Sequence, residues 1–164
     1  MKTNKTEQLQ IRVSPQEKAQ IKRGAKIANL SISDWVITKL LPDHHQRFQQ
    51  RVAAVSNSEP VSNTLASLND FLAKLTADEF RGAVCDKPHL PDDEYLKNYI
   101  AAMVEYTANY NKVNAPDWVF DIQPLNKPRF GSNLKSLRLY LLTHSPPPFR
   151  SRNIFIDSTV GDRL

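Results

Sequence analysis

Three polar side chains at alternate positions, Gln8, Gln10 and Arg12, are the best-placed groups in this chain for reading another molecule. Alternate residues of an extended backbone share a face, so these three project together while Leu9, Ile11 and Val13 face the other way. A glutamine amide can bond adenine at N6 and N7 and a guanidinium can bond guanine at O6 and N7, each good pair giving roughly 1–3 kcal/mol of discrimination. They are taken as the base-reading set. A second group lies at a predicted helix start, where Ser31, Ile32 and Ser33 offer free backbone N–H groups and hydroxyls suited to a phosphate. Such contacts position without carrying sequence information. Lys5, Ser31 and Ser33 are the candidate phosphate contacts, and Lys2, Lys22 and Arg23 add a diffuse attraction that salt would weaken.

Other chemistry is poorly supported. The four histidines and one cysteine form no set with metal-ligand spacing: His44 and His45 are adjacent, His144 is isolated, and Pro88 interrupts Cys85 and His89. No metal or cofactor is expected. There is no Gly-rich phosphate loop, nucleophile elbow or His-Glu-x-x-His, and Asp92, Asp93 and Glu94 are sufficiently explained as the acidic start of a helix. An enzyme is not expected.

The elements that must position the readers are legible around them. Ser14, Pro15 and Glu17 form a capping box with proline at the first helical position, so the strand over 9–13 runs directly into a helix reaching about Ala28. Asn29 suits a left-handed C-cap. Ser31 and Asp34 resemble a second capping box, opening a helix from Ile32 to Leu41 with Ile32, Trp35, Val36 and Leu40 at helical spacing. No second alternating run lies near, so the strand's backbone groups predict pairing with the same strand of another copy.

The charge division supports this placement. Residues 1–42 hold eight Lys or Arg against three Asp or Glu, 43–124 hold seven against twelve, and 125–164 hold seven against two. A small basic module suggests nucleic acid before membrane. The single Cys85 excludes an internal disulfide framework, and with no apolar leader or spanning run the expectation is a cytoplasmic protein with no membrane partner.

Strand, turn, helix, turn and helix within about forty residues resemble the ribbon-helix-helix (Arc/MetJ-type) DNA-binding family. The resemblance rests on Leu9-Gln10-Ile11-Arg12-Val13-Ser14-Pro15 and on Asn29-Leu30-Ser31-Ile32-Ser33-Asp34-Trp35. It implies a homodimer whose paired strands enter the major groove of a palindromic double-stranded operator. The fold class expected is mainly α. Residues 1–42 form the ribbon-helix-helix domain, 43–63 a polar helix extension and linker, and 64–164 a small helical partner-binding domain with an irregular Pro-rich carboxy-terminal segment.

The stretch from Ala115-Pro116-Asp117-Trp118-Val119 through Arg129-Phe130 and Leu137-Arg138 to Ser145–Phe155 resembles the end of bacterial antitoxins encoded beside nucleotidyltransferase-like toxins. Aromatics among arginines are anchor composition for a partner, which marks Trp118, Phe130, Phe149, Arg150, Arg152 and Phe155 as partner-binding candidates. The leading expectation is therefore a DNA-binding antitoxin that represses its own operon and neutralises a toxin. The alternatives are an accessory protein for plasmid mobilisation or partition and a ligand-sensing repressor.

Overall fold

A computed structural model describes residues 10–40, 43–57 and 60–157. The chain is mainly helical and divides into two compact units, Met1–Pro42 and Asp43–Leu164.

In the first unit, residues 10–14 are non-helical and lead into α1, Pro15–Ile27. Both halves of the capping box form: the Ser14 N–H donates to Glu17 Oε2 at 2.7 Å and the Glu17 N–H donates to Ser14 Oγ at 3.3 Å. α1 ends in a Schellman arrangement, with Asn29 at φ 52° and the Leu30 N–H bonded to the Ala25 carbonyl at 3.0 Å. This turn delivers the chain to α2, Ile32–Leu40. Gly24 allows the two helices to close: a Cβ there would lie 2.8 Å from Cε2 of the Trp35 indole, so any side chain would displace that ring. Among the described side chains of this unit, Ala25 alone is buried.

The second unit begins with α3, His44–Asn57, followed by α4 (Val61–Ala73), α5 (Ala77–Val84) and α6 (Glu94–Tyr110). The expected polar extension and linker over 43–63 is corrected here. Phe48, Val52 and Val55 of α3 are buried in the core with Leu68 and Leu72 of α4 and Phe80 and Val84 of α5. Their spacing of four and three residues gives α3 an apolar stripe, so it belongs to the second unit. α6 is the central element, burying Tyr99 to Val104 and Ala108. Its Asp93 cap accepts from the Leu96 N–H at 2.9 Å, and α5 is opened by the Thr76/Glu79 capping box.

After α6 the chain forms a single-turn 3-10 helix at Asp117–Val119, strand β1 (Arg129–Phe130), a second 3-10 turn at Lys135–Leu137, α7 (Arg138–His144), α8 (Pro147–Arg150) and strand β2 (Ile154–Phe155). β1 and β2 pair in parallel, with Arg129 opposite Ile154 and Phe130 opposite Phe155. The expected irregular Pro-rich carboxy-terminal segment consists of such short elements and is packed, with Phe149, Ile154, Phe155 and Ile156 all buried. No helix among the described residues is long and apolar enough to cross a membrane.

Candidate nucleic-acid interface

Of the base-reading candidates, Gln10 and Arg12 are exposed on the segment entering α1; Gln8 and the phosphate candidate Lys5 lie outside the described residues. Ile11 and Val13 between them are also exposed, at 57% and 41%. Residues 10–13 pair with no other described segment. Leu30, Ile32, Ile37 and Leu40 stand open as well, with Ile27 at 81% exposure. Among its described residues this unit buries the side chain of Ala25 alone and leaves Ile11, Val13, Ile27, Leu30, Ile32, Ile37 and Leu40 open, less burial than a domain of this size ordinarily needs to stand by itself.

Basic groups are spread over the same unit. Between 10 and 40 it carries six Lys or Arg against Glu17 and Asp34. Lys18, Lys22 and Lys26 repeat every four residues along α1 and are exposed. The Ser14 hydrogen bonds hold the Glu17 carboxyl below the usual carboxylate range, so that charge belongs to the helix cap.

Ser31 and Ser33 are both exposed at the start of α2. The Asp34 N–H donates to Ser31 Oγ at 3.1 Å, and the Ser31 hydroxyl in turn donates to Asp34 Oδ2 at 2.7 Å. That hydroxyl is therefore already committed. The donors left at this helix start are the backbone N–H groups of Ile32 and Ser33 and the Ser33 hydroxyl, beside the negative charge of Asp34.

The partner-binding candidates are placed very differently from the expectation. Trp118 is 6% exposed and its indole N–H donates to the Val84 carbonyl at 2.9 Å. Phe149 packs edge-on against Tyr99 with ring centroids 5.2 Å apart. Phe155 is buried and stacks on half-buried Phe130 at 5.1 Å. Arg152 is a structural cation: its Nη2 donates to Glu105 Oε2 and to the Val119 carbonyl, both at 3.0 Å, and its Nη1 donates to the Ile122 carbonyl at 3.3 Å. Trp118, Phe149, Arg152 and Phe155 thus complete the core, because the tail folds back across α6. Arg150 remains exposed, donating to the Thr143 carbonyl at 3.4 Å.

The fold also gathers residues that spacing could not connect. Packing of α3 on α5 sets His45 Nδ1 3.8 Å from Cys85 Sγ and 3.2 Å from the Ala83 carbonyl, while Nε2 lies 3.8 Å from Asp86 Oδ2. The three offer donor atoms a metal could use. The thiol and carboxylate are nearest opposite ring nitrogens, however, so one ion could not take all three without rearrangement. A second gathering lies between α3 and α4. Arg47, Gln50, Arg51, Ala54, Thr64, Ser67 and Phe71 line a groove of about 340 Å³. The signal that could have revealed it is Arg47 and Arg51 at i, i+4 on a helix whose other face is apolar.

Residues 3–78 of the chain are similar to the NikA-like family, described as mobilization protein NikA. The matched stretch takes in all but the first two residues of the amino-terminal unit and both helices that form the groove, and it ends at the start of α5. No curated protein and no solved structure matches the chain.

Proposed function

We propose that this protein is a DNA-binding accessory factor of plasmid mobilisation, acting as a ribbon-helix-helix dimer. The observation that carries the reading is the similarity of residues 3–78 to a family described by mobilisation. Three features of the chain agree with it. The amino-terminal unit is basic, its turn between α1 and α2 has the required cap, and its apolar groups stand open for a second copy. In the dimer, residues 9–13 of two chains pair as a ribbon, which satisfies their backbone groups and covers Ile11 and Val13. Gln8, Gln10 and Arg12 then face the major groove, and the first turns of the two α2 helices sit against the flanking phosphates.

The antitoxin reading has less to stand on here, because the family similarity is to mobilisation. Of its six partner-binding candidates, Trp118, Phe149, Arg152 and Phe155 are buried inside the second unit, Phe130 is half-buried and Arg150 is exposed. The second unit is in this reading a folded platform that joins the DNA-bound dimer to the other proteins of transfer.

Fragments of host DNA retained by the purified chain test the proposal. Enrichment of sequence adjoining a relaxase nicking site supports it. Enrichment confined to the promoter of its own gene, with a small toxin co-purifying, would reverse the choice in favour of the antitoxin.

A further inference from the structure

The groove between α3 and α4 has a chemistry that no structural role in the second unit uses up. Arg51 is held in place: its Nη1 donates to the Ser67 carbonyl at 3.3 Å and to the Ser67 hydroxyl, and its guanidinium carbon lies 5.2 Å from the centre of the Phe71 ring. Those contacts occupy one nitrogen and one face. The remaining N–H groups of Arg51 have no acceptor among the described residues. The Arg47 guanidinium, one turn earlier, has no hydrogen-bond or ion-pair partner among the described residues, and neither has the Gln50 side-chain amide. The Ser67 hydroxyl accepts from Arg51 and keeps its own proton to give. Thr64 has spent its proton on the Val61 carbonyl at 2.8 Å. Among the described residues no carboxylate lines the groove, although residues 43–124 as a whole carry five more acidic than basic groups.

Two guanidiniums, an amide and a hydroxyl therefore line one opening whose only charged groups are cationic. A planar guanidinium held at one nitrogen by Ser67 and over the Phe71 ring is restricted in orientation and keeps N–H groups for two-point bonding to an oxyanion. Size and donor number suit a phosphate group.

We infer that this groove is a phosphate-binding site, and that a nucleic-acid backbone supplies the phosphate. The second unit then makes a DNA contact of its own, separate from the base readers of the amino-terminal unit. The assignment of the phosphate to nucleic acid rests on the DNA-binding reading given above. It is supported by the span of the family similarity, which includes every groove residue and stops soon after the last of them. The contact is sequence-independent, because it reaches only the backbone.

The test uses the full chain and its Arg47→Gln and Arg47→Glu variants; Arg51 is left intact because it also holds α3 to α4. Affinity for a labelled duplex of random sequence is measured by anisotropy across a salt series, with unchanged melting temperature confirming the fold. The expected result is a several-fold loss of affinity for Arg47→Gln and a larger one for Arg47→Glu. The slope of log K against log salt should fall by about 0.9 for each phosphate contact removed. The ratio of specific to random binding should not change. In parallel, inorganic phosphate and a poly-glutamate peptide are titrated into the wild-type chain while the arginine Nε–Hε resonances are followed.

Phosphate-induced shifts together with the altered slope support the whole inference. Phosphate shifts with unaltered DNA binding in the Arg47 variants overturn the nucleic-acid assignment and leave a small phosphorylated ligand. A response to poly-glutamate alone overturns it in favour of an acidic protein partner, and the absence of any response removes the site. If the wild-type chain binds no duplex at all, the proposed function fails, and the phosphate titration still decides the groove.

Discussion

Arg152 shows how a residue chosen for one role can be consumed by another. Its side chain is 5% exposed and bonds Glu105, itself 20% exposed, together with the carbonyls of Val119 and Ile122. One contact therefore ties the tail, α6 and the loop after α6 together. Removing one partner of such a buried pair leaves an uncompensated charge, so Arg152→Ala should cost about 3–5 kcal/mol of stability, measurable by urea unfolding. An Arg150→Ala variant, whose side chain is exposed, should change little. Tyr99 provides a pH signature of the same core. Burial pushes its phenol up from 10 to about 12. Below pH 10 the proton is held in both folded and unfolded chains, and its contribution is complete. As pH rises towards 12 the unfolded chain releases the proton first, and stability falls. The wild type should lose more stability over that interval than Tyr99→Phe when both are followed by urea unfolding.

At the scale of elements, the caps were the most readable features and the packing partners the least. Ser14/Glu17, Thr76/Glu79 and Asp93 follow from local chemistry, and each is formed as written in the sequence. α3 was misread as polar because Gln46, Gln49, Gln50, Arg47 and Arg51 dominate its composition. Its stripe of Phe48, Val52 and Val55 was present but short. The carboxy-terminal aromatics were unreadable for a different reason: Trp118 reaches Val84 and Arg152 reaches Glu105 across gaps of 34 and 47 residues, which no local pattern encodes. One cap carries strain. α6 ends with Lys112 at φ 55°, with the Val113 N–H closing on the Ala108 carbonyl at 3.0 Å. Lysine resists this left-handed conformation and glycine does not. Lys112→Gly should therefore raise stability by up to about 1 kcal/mol despite glycine's greater freedom in the unfolded chain, seen as a higher melting temperature of the second unit.

For the whole molecule, the division of labour follows from what each unit can bury. Residues 43–164 contain a core that runs from Phe48 to Ile156. The described part of the amino-terminal unit buries Ala25 and leaves Ile27, Leu40 and Ile11 at 81%, 60% and 57% exposure. A unit completed by a second copy is stabilised by mass action. Amide exchange in α1 and α2 should slow as chain concentration rises by about a hundredfold, by up to ~2.7 kcal/mol of added protection, while exchange in α6 stays constant. Equal behaviour of α1 and α6 would separate the exposed apolar groups from dimerisation. The helices that follow the proposed readers were legible from capping and apolar spacing. The groove was not, since it exists only after α3 and α4 pack.

The central claim is that the segment before α1 reads duplex DNA. Selection from a random duplex pool by the full chain, repeated with Arg12→Ala, tests it most directly. The wild type should enrich an inverted repeat, and Arg12→Ala, still dimeric, should lose that preference by roughly 1–3 kcal/mol at the contacted base pair while keeping salt-dependent binding. Enrichment of the same repeat by both proteins, or of none by the wild type, contradicts the account.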